Sequence, residues 1–290
     1  MNNLPVILDF DQSVFLPEQT TIIDLHQWQD DIRFGCMLST FKSFETELNK
    51  KINGQIKSPI FIGSGDYHHI STLLIKQLAQ QINTPFQVVV FDNHPDNMRF
   101  PFGIHCGSWV AHIAKLPYIS HIHVVGITSS DIGFTHLWEN HLKPLYQGKL
   151  TYWCLQTDTT WIKKVGLNAA YRRFNTPDEL IAAFNQEQAL SSEPTYLSID
   201  KDVLSVDTVQ TNWDQGCLLE RHLFDTISTL KPRIVGSDIT GEVSIWHYKH
   251  WWKRFLSQLD AQQEPSQAEL KKWQMLQNQL NQRLLSALTK

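Results

Sequence analysis

The sequence predicts an α/β protein whose central sheet is mainly parallel. Short apolar runs alternate with helical patterns, and Gly, Pro and Asn residues separate them. The predicted strands cover residues 5–9, 59–63, 86–92, 119–127, 150–155, 195–200 and 233–239. The predicted helices cover residues 34–49, 70–82, 108–114, 177–190 and 218–230. Since no internal repeat or long linker divides the chain, we expect one domain over residues 1–290.

The C-terminal segment predicts an amphipathic helix at about residues 266–288. Ser266 and Glu269 form a capping-box pattern directly after Pro265. Apolar residues then recur at spacings of three and four, namely Leu270, Trp273, Leu276, Leu280, Leu284 and Leu288. We expect this helix to pack on its own domain; the alternative is a helix that contributes to an oligomer.

Composition limits the possible partners and location. The formal net charge is −4, which argues against a general nucleic-acid binder. The four cysteines are far apart and form no Cys-x-x-Cys pair, so they predict reduced thiols in a cytoplasmic protein. No signal peptide and no membrane-spanning stretch is visible. The aromatic and basic run at 246–255 is interpreted as a core-packing helix, with Tyr248, Trp252 and Phe255 on one face, rather than a nucleobase or membrane contact.

Three short clusters of metal-ligand residues follow three of the predicted strands. They are Gly-Asp-Tyr-His-His at 65–69, Asp-Asn-His-Pro-Asp at 92–96 and Asp-Lys-Asp at 200–202. Residues two apart near a strand end point to one side, and ligands of a parallel sheet gather at the carboxyl ends of its strands. A single Asp-x-Asp is usually a turn or a helix cap, but three such clusters in this context predict one shared site.

The donor types and their number predict two metal ions per chain. Carboxylates with one or two imidazoles suit manganese better than a thiolate zinc or copper site. Five carboxylate and imidazole donors with one further histidine exceed the needs of one ion, so two ions that share a bridging oxygen are expected.

At these residues the chain resembles the ureohydrolase family, which includes arginases and agmatinases. Residues 92–96 are similar to the family's Asp-Ala-His-x-Asp motif, and Ser-Ile-Asp-Lys-Asp-Val-Leu at 198–204 is similar to its Ser-Phe-Asp-x-Asp-x-Leu strand. The resemblance runs from about residue 60 to 243. It implies a three-layer α/β/α arginase-like fold, a binuclear Mn2+ centre, hydrolysis of a C–N bond in a guanidino or linear amidine substrate, and a possible homo-oligomer.

The resemblance also implies a role for each ligand. Asp92 and Asp200 would bridge the ions, Asp96 and a histidine of the 68–69 pair would complete one shell, and the last two ligands, His94 and Asp202, would complete the other. An ungapped match favours His68 as the first ligand, which leaves His69 as a supporting or substrate-facing residue. A metal-bridging hydroxide would be the nucleophile, and Asp96 would pass its proton to the departing amine.

Two further catalytic residues are implied, each with an alternative. His105 corresponds to a proton-shuttle histidine, which is the favoured interpretation; the alternative is a residue that caps the helix predicted at 108–114. Glu242 corresponds to a glutamate that holds the guanidinium, although Asp-Ile-Thr-Gly-Glu is one residue longer than the family's Asp-Ile-x-Glu. Lys201 should point away from the site and pair with an acid. Arg99 could capture a substrate carboxylate or be a solvated loop residue, and the segment 211–216 could form a pocket wall.

Other classes of protein remain as alternatives. The Asp9 and Asp11 pair resembles the first motif of haloacid-dehalogenase phosphatases, but acids that cap a turn explain it better, and the phosphatase interpretation leaves residues 92–96 unexplained. Deacetylase relatives with a single zinc would not need the additional ligands. A non-catalytic scaffold or regulatory protein that binds metal is the main alternative to an enzyme.

Overall fold

The computed structural model of the protein describes residues 4–16, 19–52, 54–259 and 265–289. Nine strands form one sheet in the order β2-β1-β4-β11-β10-β5-β7-β8-β9, and each of their pairings is parallel. Two more strands, β3 and β6, form a small antiparallel pair. The bounds are β1 Val6–Asp9, β2 Thr21–Asp24, β3 Gly35–Cys36, β4 Pro59–Gly63, β5 Phe86–Phe91, β6 Ile104–His105, β7 Ile119–Ile127, β8 Leu150–Leu155, β9 Tyr171–Phe174, β10 Thr195–Asp200 and β11 Ile234–Thr240.

Helices cover both faces of the sheet, which confirms the predicted three-layer α/β/α architecture. Alternate residues of β5 belong to different cores: Val88 and Val90 to one, Val89 and Phe91 to the other. Helices α2, α3 and α4 pack on the first core, and α6, α7 and α9 pack on the second. The bounds are α1 Gln29–Ile32, α2 Leu38–Ile52, α3 Ser71–Ile82, α4 Trp109–Ile113, α5 Lys143–Tyr146, α6 Pro177–Ala189, α7 Glu220–Leu230, α8 Trp251–Leu259 and α9 Gln267–Thr289.

Three local predictions differ from the structure. The helix predicted from residue 34 begins at Leu38, because residues 35–36 pair with residues 104–105 as strands. The edge strands β2 and β9 were not predicted, since each is only four residues long and partly exposed. In the run at 246–255, Tyr248 is buried ahead of α8, but Phe255 is 55% exposed, so the expected single core face is wrong.

The C-terminal helix has the predicted start. Ser266 and Glu269 form the capping box: the Ser266 amide donates to Glu269 Oε2 at 2.9 Å, and the Glu269 amide donates to Ser266 Oγ at 3.4 Å. Leu280 and Leu284 are fully buried in the second core, so α9 packs against the same chain.

A buried arginine ties the N-terminal strand to the loop that follows β4. The Arg33 guanidinium donates from Nε to Asp66 Oδ2 at 2.6 Å and from Nη1 to Asp11 Oδ2 at 3.2 Å. Asp11 also accepts hydrogen bonds from Ser13, as expected for an acid that caps a turn. Tyr248 OH donates to the same oxygen of Asp66 at 3.0 Å. Charge-assisted bonds of this kind fix the path of the chain into the candidate site.

Within the described residues, no helix combines the length and apolar character needed to cross a bilayer. The four cysteines all lie within these described residues and form no disulfide bond with one another, and three of them are buried.

Candidate metal centre

Six predicted ligand residues meet at the carboxyl edge of the sheet. One lies in the 3-10 turn Gly65–Ile70 after β4, three lie at or just beyond the end of β5, and two lie at the end of β10. In a parallel sheet these ends open on one crevice, where ligands bind. The six residues are His68, Asp92, His94, Asp96, Asp200 and Asp202, and all line one cavity of about 460 Å³.

The first ligand group is built around His68. Its Nδ1 lies 3.1 Å from Asp92 Oδ2 and 3.1 Å from Asp96 Oδ2. Asp200 Oδ2 is 3.4 Å from the same nitrogen. His68, Asp92 and Asp96 form a group in which one ligand atom from each lies within 4.8 Å of the others. The spacing suits a divalent cation held by one imidazole and several carboxylates.

The second ligand group is built around His94 and shares Asp92 with the first. His94 Nδ1 lies 3.0 Å from Asp202 Oδ2 and 3.4 Å from Asp92 Oδ1. Asp92 therefore offers Oδ2 to the His68 group and Oδ1 to the His94 group. This is the arrangement expected of a carboxylate between two adjacent ions.

Outer hydrogen bonds orient both histidines. His68 Nε2 lies 2.9 Å from Ser198 Oγ, which donates to Asp238 Oδ1 at 2.7 Å. Since Ser198 donates to the carboxylate, it accepts from His68 Nε2, so in the neutral form of the ring the Nδ1 lone pair faces the ligand group. His94 Nε2 lies 2.6 Å from Asp214 Oδ1, which fixes its tautomer in the same sense.

The concentration of buried charge favours the binding of cations. Burial and then the Asp92 carboxylate raise the pKa of Asp96 to about 7, and the same two causes raise the pKa of Asp202 to about 7. Burial opposes a charge on His68, but hydrogen bonds to Asp92 and Asp96 raise its pKa well above the usual value. Protons on the carboxyl groups and the positive charge of the His68 imidazolium thus offset part of the negative charge of the site. Divalent cations would offset that charge more effectively.

Asp96 is held in an unusual backbone conformation. Its φ is +46°, in the left-handed region that side chains other than glycine rarely adopt. Trp109 Nε1 donates to Asp96 Oδ2 at 2.6 Å, and this bond helps keep the carboxylate in the cavity. Strain of this kind is tolerated where the surroundings determine the geometry, and it concentrates at functional positions.

His69 does not join the ligand groups. Its ring is fully buried near Phe41, with ring centroids 5.6 Å apart, and neither ring nitrogen has a hydrogen-bond partner among the described residues. Burial lowers the pKa of His69 well below the usual value, so the ring is neutral. Of the 68–69 pair, only His68 lines the cavity.

His105 lines the cavity, but its surroundings differ from those expected of a proton shuttle. Its Nδ1 accepts a hydrogen bond from the Gly107 amide at 3.0 Å, so it caps the turn that precedes α4. Burial, and then His112, lower the pKa of His105 to about 3. A neutral imidazole with Nδ1 occupied carries its proton on Nε2 and acts as a hydrogen-bond donor.

Glu242 is not brought into the cavity. Its carboxylate Oε1 pairs with Lys201 Nζ and accepts from Asn281 Nδ2 at 2.7 Å, and the side chain is 1% exposed. The expectation that Lys201 pairs with an acid on the far side of the strand is met, and the acid is Glu242 itself. Arg99 is exposed and is not among the cavity-lining residues.

The remaining cavity wall comes largely from residues that the sequence did not single out. The segment after β7 contributes Ser129, Ser130, Asp131, His136 and Glu139. Because β7 is parallel to β5 and adjacent to it, its carboxyl end opens on the same crevice, and that position is the signal that could have identified them. The segment 211–216 forms a wall as expected, through Trp213 and Asp214.

Comparison with known sequences identifies the class of protein that this fold and this cavity suggest. The sequence model described as "Arginase family" matches residues 9–242. The chain therefore belongs to the arginase family. An uncharacterized protein of Thermotoga maritima is 30% identical over 205 residues, which are 69% of this chain and 66% of that protein.

Solved structures show the same fold. Proclavaminate amidino hydrolase from Streptomyces clavuligerus matches with a TM-score of 0.54 at 15% identity, over 99% of this chain and 92% of that one. A variant of Trypanosoma cruzi formiminoglutamase, described with Mn2+2, matches with a TM-score of 0.55 at 11% identity. The match covers 94% of this chain and 76% of that one. A hypothetical agmatinase from Burkholderia thailandensis matches with a TM-score of 0.52 at 16% identity. The match covers 93% of this chain and 69% of that one.

Proposed function

We propose that the protein is a binuclear-manganese hydrolase that cleaves a C–N bond of a guanidino or related linear amidine compound. His68, Asp92, Asp96 and Asp200 would hold one ion, and Asp92, His94, Asp200 and Asp202 the other. The observation that carries the proposal is that the two carboxylate oxygens of Asp92 face two different imidazoles. Oδ2 lies 3.1 Å from His68 Nδ1, and Oδ1 lies 3.4 Å from His94 Nδ1. We also propose that the protein is cytoplasmic and that it forms a homo-oligomer.

The residues present fit manganese. The donors are carboxylate oxygens and imidazole nitrogens, without a thiolate, and this combination suits hard to borderline divalent ions. The Trypanosoma cruzi formiminoglutamase of the same fold is described with Mn2+2, which supports the choice of metal. The Streptomyces clavuligerus relative is named an amidino hydrolase, which supports the class of substrate.

The side chains of the cavity have separate tasks in this proposal. When bound, the two ions would lower the pKa of a water molecule and so supply a nucleophile for the central carbon of the guanidino or amidine group. Asp96, whose Oδ2 accepts a hydrogen bond from Trp109 Nε1, would pass a proton to the departing amine. His105 would donate a hydrogen bond from Nε2 to the substrate or the leaving group. Glu242 has no part in this scheme.

Metal analysis combined with a substrate screen tests the proposal. Protein reconstituted with Mn2+ is analysed for metal and then incubated with arginine, agmatine and formiminoglutamate, with release of urea or the corresponding amide as the readout. Asp200→Ala is the site variant, and Asp225→Ala, on the exposed face of α7, is the matched control. We expect close to two ions per chain and turnover of one compound, both lost only in Asp200→Ala while circular dichroism stays unchanged.

Other outcomes would contradict the proposal in different ways. One ion per chain would favour a centre like that of the deacetylase relatives. A folded protein that takes up no Mn2+ would rule out the hydrolase. Two ions without turnover of any guanidino or amidine compound would favour the alternative of a non-catalytic metal-binding scaffold.

A further inference from the structure

Lys201 lies between two proposed metal ligands but belongs to a separate buried cluster. It opens the 3-10 turn Lys201–Val203 directly after β10, and its side chain is directed to Glu242 and Asn281 rather than to the cavity. Its Nζ pairs with Glu242 Oε1 and donates to Asn281 Oδ1 at 3.0 Å. Asn281 Nδ2 donates to the same Glu242 oxygen at 2.7 Å, so the three side chains form a closed triad.

The triad is sealed from water. Lys201 and Asn281 are 0% exposed and Glu242 is 1% exposed. The second carboxylate oxygen of Glu242, Oε2, is also buried and has no hydrogen-bond partner in the part of the chain that the structure describes. A buried ammonium is tolerated only beside its counter-charge, and removing one partner leaves an uncompensated charge. The triad therefore holds together only while its two charged members are present.

Helix α9 holds the same segment by a second side chain. Gln277, which is 0% exposed, accepts from the Val243 amide at 2.8 Å and donates to the Gly241 carbonyl at 2.8 Å. These contacts bracket Glu242 on both sides. Gly241 in turn lies against the metal-ligand turn: a Cβ at this position would be 2.5 Å from Asp200 Oδ1.

We propose that Glu242 is the charge partner of Lys201 and not a ligand for substrate, and that α9, through Asn281 and Gln277, positions the Asp200–Asp202 turn. The inference rests on the proposed function, because it takes these two aspartates as metal ligands. Lys201, Glu242, Asn281 and Gln277 are then positioning residues. The C-terminal helix, distant in sequence from the three ligand clusters, becomes part of the site.

A double-mutant cycle tests the charge triad. Lys201→Met, Glu242→Met and the double variant are compared by thermal unfolding and, well below the unfolding temperature, by calorimetric titration with Mn2+. We expect each single variant to lose stability and to bind Mn2+ about tenfold or more weakly, as for loss of an outer-shell partner. The double variant, which buries two apolar side chains and no charge, should be more stable than either single variant, but it leaves Asn281 without both of its partners and should still bind Mn2+ more weakly than the wild type.

Asn281→Ala tests the role of α9, with Gln282→Ala on the exposed face of the same helix as its matched control. Asn281→Ala should weaken Mn2+ binding, while Gln282→Ala should leave it at the wild-type value.

Three outcomes would contradict parts of this proposal. If Lys201→Met and Glu242→Met are each as stable as the wild type, the two buried charges do not depend on each other. Variants that lose stability but bind Mn2+ normally would overturn the positioning role. If the wild-type protein binds no Mn2+ at all, the proposed function fails, whereas the stability arm of the cycle still decides whether the charges depend on each other.

Discussion

Replacement of Ser198 by alanine should weaken metal binding without touching a proposed ligand. Ser198 Oγ lies between His68 Nε2 at 2.9 Å and Asp238 Oδ1 at 2.7 Å, and all three side chains are at most 1% exposed. Alanine leaves His68 Nε2 without a partner and removes one donor from Asp238. The imidazole then loses the contact that fixes its tautomer and its orientation.

The magnitude follows from the number of groups left unpaired. A buried polar group that loses its partner costs about 1–3 kcal/mol. Loss of an outer-shell partner typically weakens metal binding about 10- to 100-fold, which corresponds to about 1.4–2.7 kcal/mol. The two ranges overlap, so we expect Ser198→Ala to bind Mn2+ about 10- to 100-fold more weakly and to be about 1–3 kcal/mol less stable.

Calorimetric titration with Mn2+ and urea unfolding of the metal-free protein provide the two measurements. Ser58→Ala is the matched control, because Ser58 is also 1% exposed but its Oγ has no hydrogen-bond partner. That variant should keep the wild-type affinity. Equal Mn2+ affinity in Ser198→Ala and Ser58→Ala would refute the view that the outer hydrogen bonds orient His68.

Three further predictions follow from the charges described above. Asp214→Asn should weaken Mn2+ binding about 10-fold, because an amide oxygen is a weaker acceptor than the carboxylate that orients the His94 imidazole. The exposed control Asp225→Asn should have no effect in the same titration. Arg33→Met leaves two buried carboxylates without their cation and should lower the free energy of unfolding by about 3–5 kcal/mol in urea; a loss below about 1 kcal/mol would contradict this role. Burial and the Asp92 carboxylate raise the pKa of Asp96 and of Asp202 to about 7 from the usual 3.8, so between these pH values the two carboxyl groups bind more protons in the metal-free folded protein than in the unfolded chain, and their contribution to stability falls as pH rises. Because buried histidines such as His69 and His105, whose pKa values are lowered, contribute in the opposite sense, the double variant Asp96→Asn/Asp202→Asn is the reference. In EDTA, the stability of the wild type relative to that variant in urea should be lower at about pH 8 than at about pH 5; a relative stability that rises over this range would contradict the prediction.

The six residues that meet at the sheet edge could be predicted because each lies within a few residues of a strand end. Strand ends are local features of sequence, since an apolar run stops where polar residues begin. In a parallel sheet the same local feature also fixes the location in space, because all carboxyl ends share one edge. No knowledge of long-range packing was needed to expect Asp92 and Asp200 at a common site.

The position of Glu242 could not be predicted, because it depends on a shift of one residue. The strand ends at Thr240, and Gly241 has a φ of +91°, so the chain leaves the extended conformation there and strand alternation does not fix the side to which Glu242 points. Gly241 lies against Asp200 instead, and the displaced glutamate meets Lys201. Asp131 and Glu139 were not predicted for a different reason: they come from the segment after β7, where no local motif marks them.

The strand order also has a consequence for synthesis of the chain. Strands β10 and β11 lie in the middle of the sheet, between β4 and β5, although they are the last strands in sequence. Until the ribosome has released them, the earlier strands can form only two separate half-sheets, each with an apolar edge open to wrong partners. Insertion of β10 and β11 joins the halves and, in the same event, carries Asp200 to the side of Asp92. The proposed two-ion site is therefore complete only after the sheet has closed, and protection of the two open edges should matter most before that moment.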